Sequence, residues 1–184
     1  CLSGDRDRMY IPMGSYRSIL KRLVLLPVLT ATLLLAGWAF ADGTEKLFFI
    51  QRSKNANEVH YDARVKGEAL DPDDPIDAYW LNKAGDGKRD SISIFQKIAY
   101  GYDIDPAQGG AYRMVLSAFP ERPITVRKVN GKWRAHTTIG GEQAFLERLY
   151  VASDESGVMP KVLYVDLFGT SGAGKPVTER LVKK

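Results

Sequence analysis

The chain has 184 residues, 26 basic and 22 acidic, giving a formal net charge of +4, and its only cysteine is Cys1. Five of the basic residues but only two of the acidic ones fall within residues 1–41, so residues 42–184 carry 21 basic against 20 acidic side chains, a net charge of +1. A near-neutral balance gives no electrostatic footprint for nucleic acid. Without cysteine, this segment has no disulfide, thiol nucleophile or Cys-ligated zinc or iron–sulfur cluster.

The first 41 residues read as a bacterial secretory signal peptide. Arg17, Lys21 and Arg22 form a basic start, Leu23 to Gly37 is an apolar run, and Ala39-Phe40-Ala41 is a small-x-small cleavage pattern before Asp42-Gly43. Cleavage is expected after Ala41. Residues 1–12 are expected upstream of the true start, at Met9 or Met13. A retained anchor is the alternative, but the apolar run falls short of the ~20 residues that span a bilayer. Leu34-Leu35-Ala36-Gly37 approaches a lipoprotein signal, yet Trp38 follows where a lipidated cysteine is needed. Met13 to Ser18 matches a myristoylation pattern, read as chance within the basic start. The remaining 143 residues (42–184) are expected to form one exported β-rich domain, periplasmic or secreted, with no membrane span once the leader is removed.

Strands dominate the rest. Leu47–Arg52 is apolar and aromatic, Ser53 to Asn57 turns, and Glu58–Lys66 alternates: Val59, Tyr61, Ala63 and Val65 on one face, Glu58, His60, Asp62, Arg64 and Lys66 on the other. These two read as a hairpin. Residues 67–75 form a proline-stiffened loop, Ile76–Leu81 a short strand and 82–90 a loop. Ser93 and Gln96 form a capping box for a short helix with an apolar stripe of Ile94, Phe95 and Ile98, stopped by Gly101. Tyr112–Phe119 is a strand and Pro120 to Pro123 a corner. Ile124–Val129 and Lys132–Thr138 flank Asn130-Gly131, a strong hairpin signal. After Gly140-Gly141, residues 143–152 suit either helix or strand, with strand preferred. Lys161–Phe168 and Pro176–Val182 close the chain as a hairpin. The expected fold is mainly β, an antiparallel barrel or sandwich of about eight or nine strands with one short helix.

No catalytic or cofactor motif survives inspection. Gly169 to Lys175 fits G-x-x-x-x-G-K, but Pro176 stands where a P-loop needs Ser or Thr, and too little chain follows for a nucleotide-binding helix and sheet. Asp71 to Asp77 is acidic, but Pro75 and Ile76 occupy positions where a calcium loop needs an acidic residue and glycine. His60 lies between Glu58 and Asp62 on one strand face, at a spacing of about 7 Å that converges on a metal only with help from another strand. His60 and His136 are read as surface histidines, and no metal site is assigned. A triad assembled from distant residues leaves no sequence signature.

Aromatics and arginines crowd the middle of the chain, among them Tyr112 and Arg122. Core packing is the commoner role for such rings. As a candidate ligand-binding set we single out Tyr79, Trp80, Arg89, Tyr100, Tyr102 and Arg113, because rings beside guanidinium groups suit a sugar, a lipid head or a peptide.

Three segments together resemble a known family: Leu47-Phe48-Phe49-Ile50-Gln51-Arg52-Ser53-Lys54-Asn55-Ala56-Asn57, Pro75-Ile76-Asp77-Ala78-Tyr79-Trp80-Leu81, and Gln96-Lys97-Ile98-Ala99-Tyr100-Gly101-Tyr102. They are similar to a bacterial exported family, domain of unknown function 4833, and the resemblance covers nearly all of residues 42–184. It implies a single envelope or secreted domain and brings no activity or ligand. The functional expectation is a non-enzymatic exported domain that binds a small ligand, an envelope component or a protein partner, without a cofactor. The alternatives are a hydrolase with a dispersed site near His60 or His136, and a structural subunit of an envelope complex.

Overall fold

The alternating segments pair into a single curled sheet. In the computed structural model, the described residues are 42–182 apart from 54, 56, 84, 155 and 157–160. The leader and the cleavage position at Ala41 lie outside them. Twelve strands are present among the described residues: β1 (Gly43–Arg52), β2 (Glu58–Lys66), β3 (Ala69–Leu70), β4 (Ile76–Leu81), β5 (Arg89–Ser91), β6 (Tyr102–Pro106), β7 (Tyr112–Leu116), β8 (Phe119–Val129), β9 (Lys132–Ile139), β10 (Glu142–Asp154), β11 (Lys161–Ser171) and β12 (Pro176–Val182). One four-residue helix, α1 (Lys97–Tyr100), lies between β5 and β6.

The main path runs β5-β4-β2-β1-β10-β9-β8-β7-β6, an open half-barrel of nine strands, with β11 and β12 added beside β10 and β3 beside β2. It is neither a closed barrel nor a sandwich. The sheet is also mixed, which corrects the antiparallel expectation: β1 runs parallel to β10, with Phe49 opposite Arg148 and Arg52 opposite Val151. The reason lies in the length of β10. Its first residues, Glu142 to Phe145, pair with β9, and beyond them the same edge is open to β1. The opposite edge is held along its length by β11. The strand count exceeds the expected eight or nine because β3, β5 and β6 form in segments that carry loop or turn residues.

Local signals act as chemistry predicts. Asn130 and Gly131 both take positive φ, 51° and 80°, and join Val129 to Lys132 in a two-residue turn. The ambiguous segment at 143–152 is strand throughout, because its pairing with β9, β1 and β11 overrides helical spacing. Gly169 sits where β11 crosses tightly against β10: a Cβ there would lie 2.1 Å from the Phe145 carbonyl oxygen.

The core lies on the concave face. Val59, Tyr61 and Ala63 are fully buried there, and Phe48 stacks on Tyr61 with ring centroids 4.7 Å apart. The other face of β2 is not the solvated surface that alternation predicts: Glu58, His60 and Asp62 are buried too. Rings on the flanking strands cover it. Phe49 on β1 and Tyr79 on β4 sit opposite His60 in register and stack on its imidazole at 5.2 and 5.4 Å.

Candidate ligand cavity

Strand register decides which side chains face one another inside the half-barrel. Ile50 on β1 stands beside Leu149 on β10, and in the next row Val151 stands beside Val165 on β11 and Leu181 on β12. These apolar positions line one wall of a cavity of about 380 Å³. The opposite wall comes from Leu116, Phe119 and α1.

Two devices hold that opposite wall. Gly101 ends α1 close against the turn between β7 and β8: its carbonyl accepts from Ser117 N at 2.9 Å, and a Cβ at Gly101 would lie 2.9 Å from Ser117 Oγ and 2.3 Å from the Lys97 carbonyl. Tyr100 is fixed from behind. Its carbonyl accepts from the buried Tyr61 hydroxyl at 2.8 Å, and its ring meets Trp80 edge-on at 5.1 Å.

The expected proline corner shapes the rim. Leu116 pairs with Phe119 and Met114 with Ile124, so Pro120, Glu121, Arg122 and Pro123 together oppose only Val115. Prolines lack the N–H needed for a ladder, and a bulge re-aims the side chains it carries. Phe119 and Glu121 therefore reach the cavity. Arg122 turns toward β9 and β12, donating to the Thr138 carbonyl and pairing with Glu179.

The six residues singled out from sequence do not form one site, although Trp80 meets Tyr100, Arg89 meets Tyr79, and Tyr100 and Tyr102 share a smaller hollow. Tyr79 and Arg89 lie on the convex face, with the Arg89 guanidinium 3.6 Å from the Tyr79 ring centroid and paired with Asp77. Trp80, Tyr100 and Tyr102 belong to the concave side, where the Tyr102 hydroxyl donates to the Ile76 carbonyl at 2.8 Å. Arg113 is exposed on β7, between Asp105 and Thr125. Of the six, Tyr100 alone lines the cavity. Sequence reasoning passed over Ile50, Leu149, Val165, Leu181 and Glu121. Their alternation was visible, but not the β1–β10 pairing that makes one surface of them.

The capping box forms, with Ser93 N donating to Gln96 Oε1 at 2.8 Å and Gln96 N to Ser93 Oγ at 3.4 Å. The apolar stripe does not pack: Ile94, Phe95 and Ile98 are 82%, 85% and 77% exposed. With only one turn of helix, none of its residues is fully buried; Tyr100 is half-buried, and it borders the cavity together with the exposed Ala99.

Both histidines are buried, which corrects the surface reading. His60 Nε2 lies 2.8 Å from Glu58 Oε2, and Lys83 Nζ donates to Glu58 Oε1 at 2.6 Å. Burial pushes the Glu58 carboxyl up, but the hydrogen bonds from Lys83 and His60 outweigh it and hold the group below its usual range. Next to this cluster, the Tyr79 hydroxyl donates to Asp62 Oδ2 at 3.0 Å. His136 lies under Arg127, with the Phe145 ring centroid 4.5 Å away. Burial, with Arg127 and Arg134 nearby, pushes its pKa down to about 4, so it is neutral at pH 7. Among the described residues, no serine or threonine hydroxyl is hydrogen-bonded to either ring, and no group of three or more His, Cys, Asp or Glu is arranged to hold a metal ion. The P-loop-like segment is the β11–β12 turn, closed by Gly174 N to the Ser171 carbonyl at 2.9 Å. The acidic loop is tied to β2, where Arg64 pairs with Asp74 and Asp77.

The fold and cavity define a mainly β domain, a curled mixed sheet around an apolar hollow. The chain belongs to the family described as Domain of unknown function (DUF4833), which matches residues 48–180. No curated protein and no solved structure matches it. Among the described residues, no helix is long and apolar enough to cross a membrane.

Proposed function

We propose that this is an exported binding protein that holds a small apolar ligand in the hollow of its half-barrel. The observation that carries the reading is the cavity itself. At about 380 Å³ it falls within the range of small-molecule sites, ~300–1,000 Å³. Aliphatic side chains from five strands line it, together with Tyr100 and Phe119. Apolar walls of this kind favour an apolar guest, since burial yields roughly 25 cal/mol per Å² removed from water. The leader supports export, which would place the domain where envelope lipids and other apolar metabolites are available.

A hydrolase is the weaker reading. His136 is neutral but sits under a guanidinium, with a phenyl ring beside it and, among the described residues, no acidic partner that orients it as a base. His60 has an acidic partner, yet its ring is enclosed between Phe49 and Tyr79. Neither resembles a nucleophile–base–orienter arrangement.

The test is a titration with phenylnaphthylamine, whose fluorescence rises in apolar surroundings. Saturable enhancement is expected, and Val165→Trp or Leu181→Trp, which fill the hollow from β11 or β12, should weaken it at least ten-fold. No enhancement with the folded protein, or enhancement that neither tryptophan reduces, would refute the reading.

A further inference from the structure

The proline bulge brings one charged side chain to an otherwise apolar cavity. Among the described residues that line it, Glu121 is the only one that carries a charge. Glu121 is exposed, it also borders a neighbouring polar hollow, and no ion pair engages it among the described residues. The adjacent cation does not offset it. Arg122 is turned to the other side and held by both carboxylate oxygens of Glu179 and by the Thr138 carbonyl. Among the described residues, the rim therefore presents a carboxylate with no ion partner above aliphatic walls.

We infer that the cavity selects apolar ligands ending in a cationic amine, with Glu121 as the counter-charge, and discriminates against apolar carboxylates. This rests on the reading of the cavity as a ligand site and names the chemical class it takes. An alkyl chain in the hollow would leave its polar end at the rim. There an ammonium gains a charge-assisted hydrogen bond to the carboxylate, and a fatty-acid head meets a like charge. The site is solvated, so each effect is modest. Attraction of the amine and repulsion of the acid, each as small as exposed ion pairs are, combine to a preference of about ten-fold.

The experiment is competition against phenylnaphthylamine at pH 7 by decylamine, decanol and decanoate, in the parent protein and in Glu121→Gln and Glu121→Lys. At that pH the amine is protonated and the acid ionised. The expected order is decylamine, decanol, decanoate. The amine-to-acid affinity ratio should be about ten, fall toward one in Glu121→Gln and invert in Glu121→Lys. In the parent protein the ratio should also shrink as salt is raised from 0.01 to about 1 M, because screening acts on the charge term alone; this arm needs no variant to fold. A ratio of one or below in the parent protein, with all three compounds competing, would overturn the amine preference while leaving the cavity reading intact. If none of the three displaces the bound probe, the cavity reading fails and the inference with it.

Discussion

Arg122 on β8 and Glu179 on β12 meet in a two-point ion pair, Nη1 to Oε2 at 3.0 Å and Nη2 to Oε1 at 2.9 Å. Glu179 Oε2 also accepts from Gly140 N at 2.9 Å. These strands are not neighbours in the sheet, and each contributes to a different wall of the cavity. The pair thus joins the two walls just beyond the rim. Arg122→Ala is expected to lower stability by about 1–3 kcal/mol, because it leaves a half-buried carboxylate without its charged donor. A urea midpoint at pH 7 that does not move would show that the pair contributes nothing.

The same pair carries a pH signature. The Arg122 hydrogen bonds hold the Glu179 carboxyl below its usual range. A carboxyl lowered in the folded state contributes stability that is fully present above its unfolded value and lost as pH falls through its folded one. Stability should therefore decline in acid more steeply in the parent protein than in Arg122→Ala. Parallel pH profiles of the two urea midpoints would contradict this.

His136 should behave in a related way on a different scale. Its pKa of about 4 lies below that of a free imidazole, so the unfolded chain binds a proton first as pH falls. Its contribution is complete above about pH 6.5 and is lost between there and about pH 4. In proton NMR its ring signals should stay constant from pH 8 to 5.5. A midpoint near 6.5 would mean that Arg127 and burial do not act on it as described.

Gly169→Ala is expected to be among the most damaging single changes, about 3 kcal/mol or more. The added methyl would meet a backbone carbonyl that cannot rotate aside. A thermal midpoint within about 1 °C of the parent would refute that close crossing.

Tyr61→Phe isolates one hydrogen bond behind the cavity. Tyr61 is fully buried, and its hydroxyl donates to the Tyr100 carbonyl. Removal should cost about 1–2 kcal/mol by taking that buried hydrogen bond away. It should also weaken probe binding, since Tyr100 lines the cavity. Unchanged stability and binding would separate Tyr61 from the site.

Much of this architecture is legible in local chemistry. Alternation in β2, the Asn130-Gly131 turn, the Ser93–Gln96 capping box and the proline corner are each set by residues within a few positions of one another. The β1–β10 pairing is not legible, because it joins segments about one hundred residues apart. It depends on the excess length of β10 and not on any residue in β1. Burial of His60 escapes sequence reasoning for a similar reason. Polar residues on one strand face predict water, unless rings from two other strands close over them. Glu121 was hidden in a corner that announces itself by its prolines, while the direction its side chains take depends on how many residues the bulge absorbs.

The most direct test of the account is methyl NMR of the protein labelled at isoleucine, leucine and valine, titrated with decanol. The account predicts concerted, saturable shifts at Ile50, Leu149, Val165 and Leu181, with Ile94 and Ile98 unchanged. Shifts confined to Ile94 and Ile98, or none at all in the folded protein, would contradict a ligand site within the half-barrel.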